Sequence, residues 1–374
     1  MDQVEEVKSK ADIVEIVSSY IPLKKSGRNF SGLCPFHGEK TPSFMVSSER
    51  QVFKCFGCGE GGDVITFLEK IEGWEFREAL EELAKKVGVK LKNTKPTAAG
   101  RQKEKLLKIN SLVGKFYSYL LLKHKAGERA REYLLKRGIK ESTWVKYGLG
   151  YSPNSWDQAY SFLKKKGFDD VDIASSGMII ARQGTKRGYY DRFRDRLVFP
   201  IRDKKGDTVG FSARTLVDAV DQPKYVNSSE TVIFHKGSLL FGLDVAKEAI
   251  RQKGECFLVE GEFDVLSSFQ AGVENVVASK GTALTDMQIA LVARFCETLI
   301  LGLDADFAGD KAARRGIEIM DKAGLNIKVM GMNGFKDPDE FARKDADKFK
   351  KAYIGASNVY DYYLESITSR FDSA

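Results

Sequence analysis

The spacing of apolar residues changes character several times along this chain, and the changes divide it before any motif is read. Apolar residues alternate over 43–46 and 51–54 around the polar stretch Ser47, Ser48, Glu49 and Arg50, which predicts two strands joined by a turn. Past Gly61, Gly62 and Asp63, a turn and helix N-cap, Val64, Phe67, Leu68 and Ile71 recur at helical spacing. Gly73 breaks that helix, and Phe76, Ala79, Leu80, Leu83, Ala84 and Val87 mark a second. Residues 92–100 have no period and are rich in small and turn-forming residues, which reads as a linker. From Leu106 the helical period returns with Ile109, Val113, Phe116, Tyr117 and Leu120, and residues 131–137 carry another helix before Gly138. Residues 196–202 and 208–212 read as strands around a tight turn at 203–207. Beyond Phe241 short apolar runs at 256–259, 275–278, 299–303 and 327–330 alternate with helical stretches, the pattern of a parallel sheet covered by helices.

At 374 residues the chain exceeds one ordinary core, so several domains are expected. The formal charge of +8 hides a strong asymmetry, with residues 1–91 at −2, residues 92–220 at +15 and residues 221–374 at −5. A basic middle beside an acidic end suits a polyanion surface next to a cation-binding centre. Part of that excess, including Lys103, Lys105, Lys108 and Lys115, reads more plainly as a solvated helix face. No apolar run is long enough to span a bilayer and the N-terminus lacks a leader pattern, so a cytoplasmic protein is expected.

Two short pairs, Cys34 with His37 and Cys55 with Cys58, flank the first predicted hairpin. Facing knuckles of this spacing supply the four borderline ligands of a tetrahedral structural zinc. Cys256 and Cys296 sit in or beside apolar stretches and read as small core residues. At the other end of the chain, Glu260 follows the strand 256–259, while Asp304 and Asp306 follow the strand 299–303. Ligands bind at the carboxyl ends of parallel strands, so these three acids are expected to converge on Mg²⁺ or Mn²⁺. The plainer alternative is that Asp304 and Asp306 cap a helix beginning near Gly309.

These residues carry a family resemblance. The segment 32–44, including Cys34, Pro35, Phe36 and His37, resembles the zinc ribbon of bacterial DNA primases of the DnaG type. Segments 192–201, 223–228 and 234–237 resemble that family's polymerase-core motifs, and 258–265, 303–309 and 336–340 its three acidic TOPRIM motifs. The resemblance implies a multidomain fold: a zinc ribbon with helices at 1–91, a linker at 92–105, an α+β basic subdomain at 106–245, an α/β TOPRIM domain at 246–333, and an acidic motif with core helices at 334–374. It implies an RNA-primer polymerase on single-stranded DNA, using ribonucleoside triphosphates, and a replicative helicase as partner of the full-length family, whose binding domain is absent here. Carried over by position, Glu260, Asp304 and Asp306 are the main metal-associated acids, with Asp264, Asp337 and Asp339 around them. Arg194, Arg196, Arg214, Lys224, Asn227 and Lys236 would face nucleotide phosphates or template.

The chain departs from the family pattern where Glu262 and Phe263 stand in place of Tyr and Met, and where Lys280 stands in place of Leu. Ser212 and Ala213 stand in place of a glycine pair, and Ala305 between the two aspartates is a milder departure. The chain stops soon after a helical pattern at 360–364, which reads as a piece of a longer protein. Two other readings fit parts of the chain: a TOPRIM nuclease or topoisomerase-like enzyme, and a noncatalytic zinc-dependent DNA-binding protein. The former lacks an evident active-site tyrosine motif, and the latter leaves the acidic motifs unexplained.

Overall fold

The computed structural model describes residues 3–37, 39, 41–72, 74, 76–91, 98–182, 188–217, 223–280, 284–302 and 324–362. Asp304, Asp306, the helix start near Gly309, Lys40, Gly73 and the linker segment 92–97 lie outside the described residues. The chain divides into two compact units, Met1–Pro96 and Thr97–Ala374.

In the first unit, α1 (Gln3–Lys10) and α2 (Ile13–Ser18) lead into five antiparallel strands in sequential order: β1 (Lys24–Ser26), β2 (Asn29–Gly32), β3 (Phe44–Ser47), β4 (Val52–Cys55) and β5 (Gly61–Asp63). Helices α3 (Val64–Glu72) and α4 (Phe76–Lys86) follow. The expected hairpin is β3–β4, each strand one residue later than its alternation suggested, with Phe44 opposite Cys55 and Val46 opposite Phe53. Gly61–Asp63 does more than turn the chain. It pairs with β4 as an edge strand, while the Asp63 carboxylate accepts the Ile65 and Thr66 N–H groups at 3.0 and 2.9 Å and caps α3. Phe44 and Phe53 stack at 5.2 Å, Phe67 of α3 meets both edge-on, and Val7, Ile13 and Val17 close the core from the N-terminal helices.

The second unit opens with α5 (Ala98–Leu122), which begins eight residues before its apolar stripe. Residues 98–105, expected as linker for want of an apolar period, are helical here: Ala98, Ala99, Gln102, Glu104 and Lys105 are strong helix formers and extend the helix by propensity while burying almost nothing. Then come α6 (Glu128–Lys136), α7 (Glu141–Tyr147), β6 (Gly150–Ser152), α8 (Gln158–Lys165), α9 (Asp170–Ser175), the small hairpin β7 (Ile179–Ala181) and β8 (Tyr189–Asp191), then β9 (Arg196–Arg202), β10 (Thr208–Thr215) and β11 (Tyr225–Asn227). The antiparallel order is β11-β10-β9-β6. Strand β9 is buried on both faces. Val198 packs with Ile109, Val113 and Phe211 on the α5 side, while Leu197 and Phe199 join a second core with Phe241 and Phe263. One strand thus belongs to two cores, and the basic subdomain is fused to the next layer.

That layer begins at α10 (Leu243–Lys253) and contains β12 (Glu255–Val259), α11 (Glu262–Gln270), β13 (Val276–Ala278), α12 (Asp286–Val292), β14 (Thr298–Leu301), β15 (Asn326–Val329), α13 (Pro338–Lys344), α14 (Ala346–Ile354) and β16 (Ser357–Asn358). The sheet order is β13-β12-β14-β15-β16, parallel except for the antiparallel edge β16. Period-two alternation sends Phe257 and Val259 towards α11, α13 and α14, and Cys256 and Leu258 towards α10 and α12. Cys256 and Cys296 are both buried in the core on the α10 and α12 side, as expected of small apolar residues.

Candidate active site and metal centre

In the first unit, the two knuckles bring Cys34, His37, Cys55 and Cys58 together, with their ligand atoms all within 4.8 Å of one another. Cys34 Sγ lies 3.8 Å from Cys58 Sγ, and His37 Nδ1 3.7 Å from Cys55 Sγ. Zinc–sulfur bonds of about 2.3 Å in a tetrahedron place sulfurs about 3.8 Å apart, so the donor set fits zinc in chemistry and size. Gly57 makes the second knuckle possible, since a Cβ there would lie 2.6 Å from His37 Nε2. Burial pushes the Cys34 thiol well up. Burial also opposes ionisation at Cys55, but hydrogen bonds with Ser43 Oγ and the Cys58 N–H outweigh it and bring that thiol down to about 6.

Glu39, which sequence reasoning passed over, organises this cluster. Its carboxylate accepts the N–H groups of Cys34 and Ser43 at 2.7 and 3.0 Å and the Ser43 hydroxyl, and stands 3.4 Å from His37 Nε2. Burial works against the charged form, but these donors win and hold the carboxyl below its ordinary range. A carboxylate on the outer nitrogen of a ligating histidine fixes the ring and its tautomer. The signal was its place two residues beyond His37. The aromatic rings of the ribbon prove mostly structural: Phe44 and Phe53 are buried, Phe36 packs on both, and Phe56 alone of the four is open, at 75 % exposure.

In the second unit, Glu260 directly follows β12, and neighbouring β14 runs parallel to that strand, with Gly302 N–H donating to Leu258 O at 2.9 Å. The carboxyl ends of the two strands are therefore side by side, as the acidic motifs require. The acids expected around Glu260 are engaged in positioning. One oxygen of Asp264 accepts Gly261 N–H at 2.9 Å and the other accepts Asp339 N–H at 3.1 Å, tying the first acidic turn to the third. Asp337 caps α13, accepting Glu340 N–H at 2.7 Å. Asp339 has the most partners of these acids. Its carboxylate is held by Arg343 through two bonds of 3.0 Å, by Arg137 at 3.4 Å and by the Ser267 hydroxyl, so it joins α6, α11 and α13 as a buried ion-pair network. Arg137 also lies 4.2 Å from the centre of the Phe263 ring.

The cations expected at template or nucleotide divide in the same way. Arg196 is buried and donates to the Pro223 and Lys224 carbonyls at 3.0 and 3.4 Å, and burial lowers its pKa. It supports the segment of Pro223 and Lys224 that leads into β11. Arg214 is enclosed by Tyr133, Tyr225 and Phe263. Lys224 is exposed, and Lys236 is half-buried with its N–H on Glu230. Arg194 stacks 4.2 Å over Trp156, itself 58 % exposed, beside Tyr190 at 5.0 Å. Asn227 keeps its Oδ1 buried with no hydrogen-bond partner among the described residues. Arg192, not singled out in the sequence, donates to Gly177 O and Ser229 Oγ and fixes the loop after β11.

Comparison with known proteins agrees with this layout. Family models match for the CHC2 zinc finger at residues 1–99, the N-terminal domain of the DNA primase catalytic core at 116–247, and a Toprim-like domain at 257–342. A DNA primase of Clostridium acetobutylicum is 42% identical over 365 residues, covering 97% of this chain and 60% of that protein. The chain thus spans about three fifths of the length of the curated relatives it matches. The zinc-binding and RNA polymerase domains of the Aquifex aeolicus primase superpose with a TM-score of 0.65 at 35% identity, covering all of this chain and 90% of that one. A DnaG primase catalytic domain bound to single-stranded DNA gives a TM-score of 0.64 at 32% identity, over 72% of this chain and 87% of that one. Among the described residues no helix is long and apolar enough to cross a membrane. The chain belongs to the DnaG-type family of bacterial DNA primases.

Proposed function

We propose that this chain synthesises short RNA primers on single-stranded DNA, by nucleotidyl transfer from ribonucleoside triphosphates. The observation that carries the reading is the meeting of a cationic loop with an acidic strand end inside one compact unit. Lys280 Nζ, just past β13, lies 5.6 Å from the Phe234 ring of the basic subdomain, and the Arg214 guanidinium of β10 lies 5.0 Å from the Phe263 ring of α11. Residues 225–236 therefore border the end of the sheet that bears Glu260.

Divalent cations, Mg²⁺ or Mn²⁺ in this reading, would be held by Glu260 with Asp304 and Asp306, and would supply neutralisation of triphosphate charge and activation of the attacking 3′-hydroxyl. The chain's own residues do the rest. Lys224 and Lys236 bind phosphate, Arg194 on Trp156 borders the template, and Asp264 holds the turn that aims Glu260. No side-chain nucleophile is needed. The first unit, with zinc on Cys34, His37, Cys55 and Cys58, contacts the template, and the cytoplasm and a replicative helicase partner follow from the same reading.

The test supplies single-stranded template, four ribonucleotides and Mg²⁺ or Mn²⁺. Short RNA is expected from the unaltered chain, with a loss of about a hundredfold or more in Glu260→Gln and Asp304→Asn at unchanged melting temperature. Nicked DNA without RNA would point to strand cleavage, and neither product to a binding protein.

A further inference from the structure

The N-terminus of α12 carries more hydrogen-bonding capacity than the helix itself needs. Thr285 Oγ1 accepts the Gln288 N–H at 3.1 Å and Gln288 Oε1 accepts the Thr285 N–H at 3.2 Å, a reciprocal capping box. A cap uses acceptor oxygens only, so an Asp at 285 and a Glu at 288 would serve it as well. Thr and Gln differ from those acids in each keeping a donor, and here both donors leave the helix for one loop of the basic subdomain. The Thr285 hydroxyl donates to the Gly237 carbonyl, and Gln288 Nε2, on a fully buried residue, donates to the Leu239 carbonyl at 2.8 Å. That loop holds the short helical turn Lys236–Ser238. The Glu230 carboxylate accepts the Lys236 N–H at 3.0 Å, and Ser238 Oγ donates to the His235 carbonyl at 2.9 Å. The backbone of the turn is thus pinned at 236, 237 and 239 by three side chains, none of them assigned above to phosphate or metal.

A lysine ammonium is a point charge on a flexible stem, so the place it can reach is set by the backbone that carries it. We propose that Thr285 and Gln288 are positioning residues for Lys236: they fix its turn from the α/β layer and so set the affinity for nucleotide triphosphate. Neither is a catalytic residue; each acts through the backbone at 237 and 239. The inference rests on the proposed binding of phosphate by Lys236.

The experiment measures binding of radiolabelled GTP to the full chain by equilibrium dialysis, with melting temperatures alongside. Lys236→Met should weaken GTP binding about tenfold or more, Thr285→Val and Gln288→Met about threefold to tenfold each, and Thr285→Ser, which keeps the hydroxyl, by less than about twofold. Because the two residues act through Lys236, adding Thr285→Val to Lys236→Met should cost less than about a further twofold in affinity. Loss of the helix cap lowers the melting temperature in Thr285→Val, and should lower it equally in the Lys236→Met background, so stability and affinity separate. If the affinity losses instead multiply in full in the double variant, Thr285 supports the fold at large and the positioning role is overturned. If Lys236→Met weakens binding while Thr285→Val and Gln288→Met leave it unmoved, the inference fails and the phosphate reading of Lys236 stands. If Lys236→Met binds GTP as the parent does, that reading fails and the inference goes with it.

Discussion

Glu39 and Asp339 show how much a carboxylate's partners decide. Both are acids inside family motifs, and in both the carboxylate is taken up by donors of the chain itself. Glu39 faces donors on three residues and the far nitrogen of His37, so its work is to orient the ligands. Glu39→Gln keeps the shape and removes the charge. It should lower zinc affinity by about tenfold to a hundredfold, measured by competition with a chromogenic chelator. Asp339 sits between two guanidinium groups, and Asp339→Asn leaves both part-buried without an anion. A loss of about 2–3 kcal/mol in urea unfolding is expected, below the range for fully buried pairs because Arg137 and Arg343 stay partly solvated. Arg196 belongs to the same class. Arg196→Met should destabilise the second unit and move the Lys224 segment before β11, whereas Lys224→Met should weaken nucleotide or template binding with little change in melting temperature. Roles of this kind depend on contacts between residues far apart in sequence, and spacing along the chain does not display them.

At the scale of elements, legibility followed burial. The helices Val64–Glu72 and Phe76–Lys86, the strands of the parallel sheet and the turn at 203–207 each present one buried face or a known turn chemistry, and their periods read through to the structure. Part of what escaped has a weak periodic signal. Strand β1 is short and open, β2 is short and mostly half-buried, β5 is a Gly-Gly-Asp edge, and the first two turns of α5 are nearly all exposed. The strand β9 was found as a strand, but its membership in two cores was not, since a run buried on both faces does not say what covers each. That double duty makes it a sensitive place. Phe199→Ala opens a cavity against Phe241 and Phe263, and a cost of about 3–5 kcal/mol is expected in urea unfolding, with primer synthesis lost along with stability. The exposed Val145 of α7, truncated in the same way, should change stability by less than about 0.5 kcal/mol.

For the whole molecule, the two compact units carry different means of stabilisation. The first has a small core completed by three thiols and an imidazole, while the second has three large cores among its described residues, two of them sharing β9. Metal removal should therefore unfold one unit and spare the other. Calorimetry of the full chain is expected to show a transition that chelator shifts down or abolishes and a second that it leaves in place; two equally shifted transitions would show that the zinc cluster also supports the second unit. The division bears on function in the same way. The protein shortened to residues 97–374 should keep Mn²⁺ binding and the salt-sensitive affinity for single-stranded DNA that its basic segment confers, with a log-log slope of roughly −0.7 per phosphate contact. It should lose most primer initiation, because the ribbon with the open Phe56 ring and Lys54 beside it no longer reaches the template at the high effective concentration a short tether provides. Adding residues 1–96 as a separate chain at high concentration should restore part of the initiation, and zinc-stripped 1–96 should restore none. Undiminished initiation by residues 97–374 alone would remove the ribbon from template selection and leave it a structural or partner-binding module.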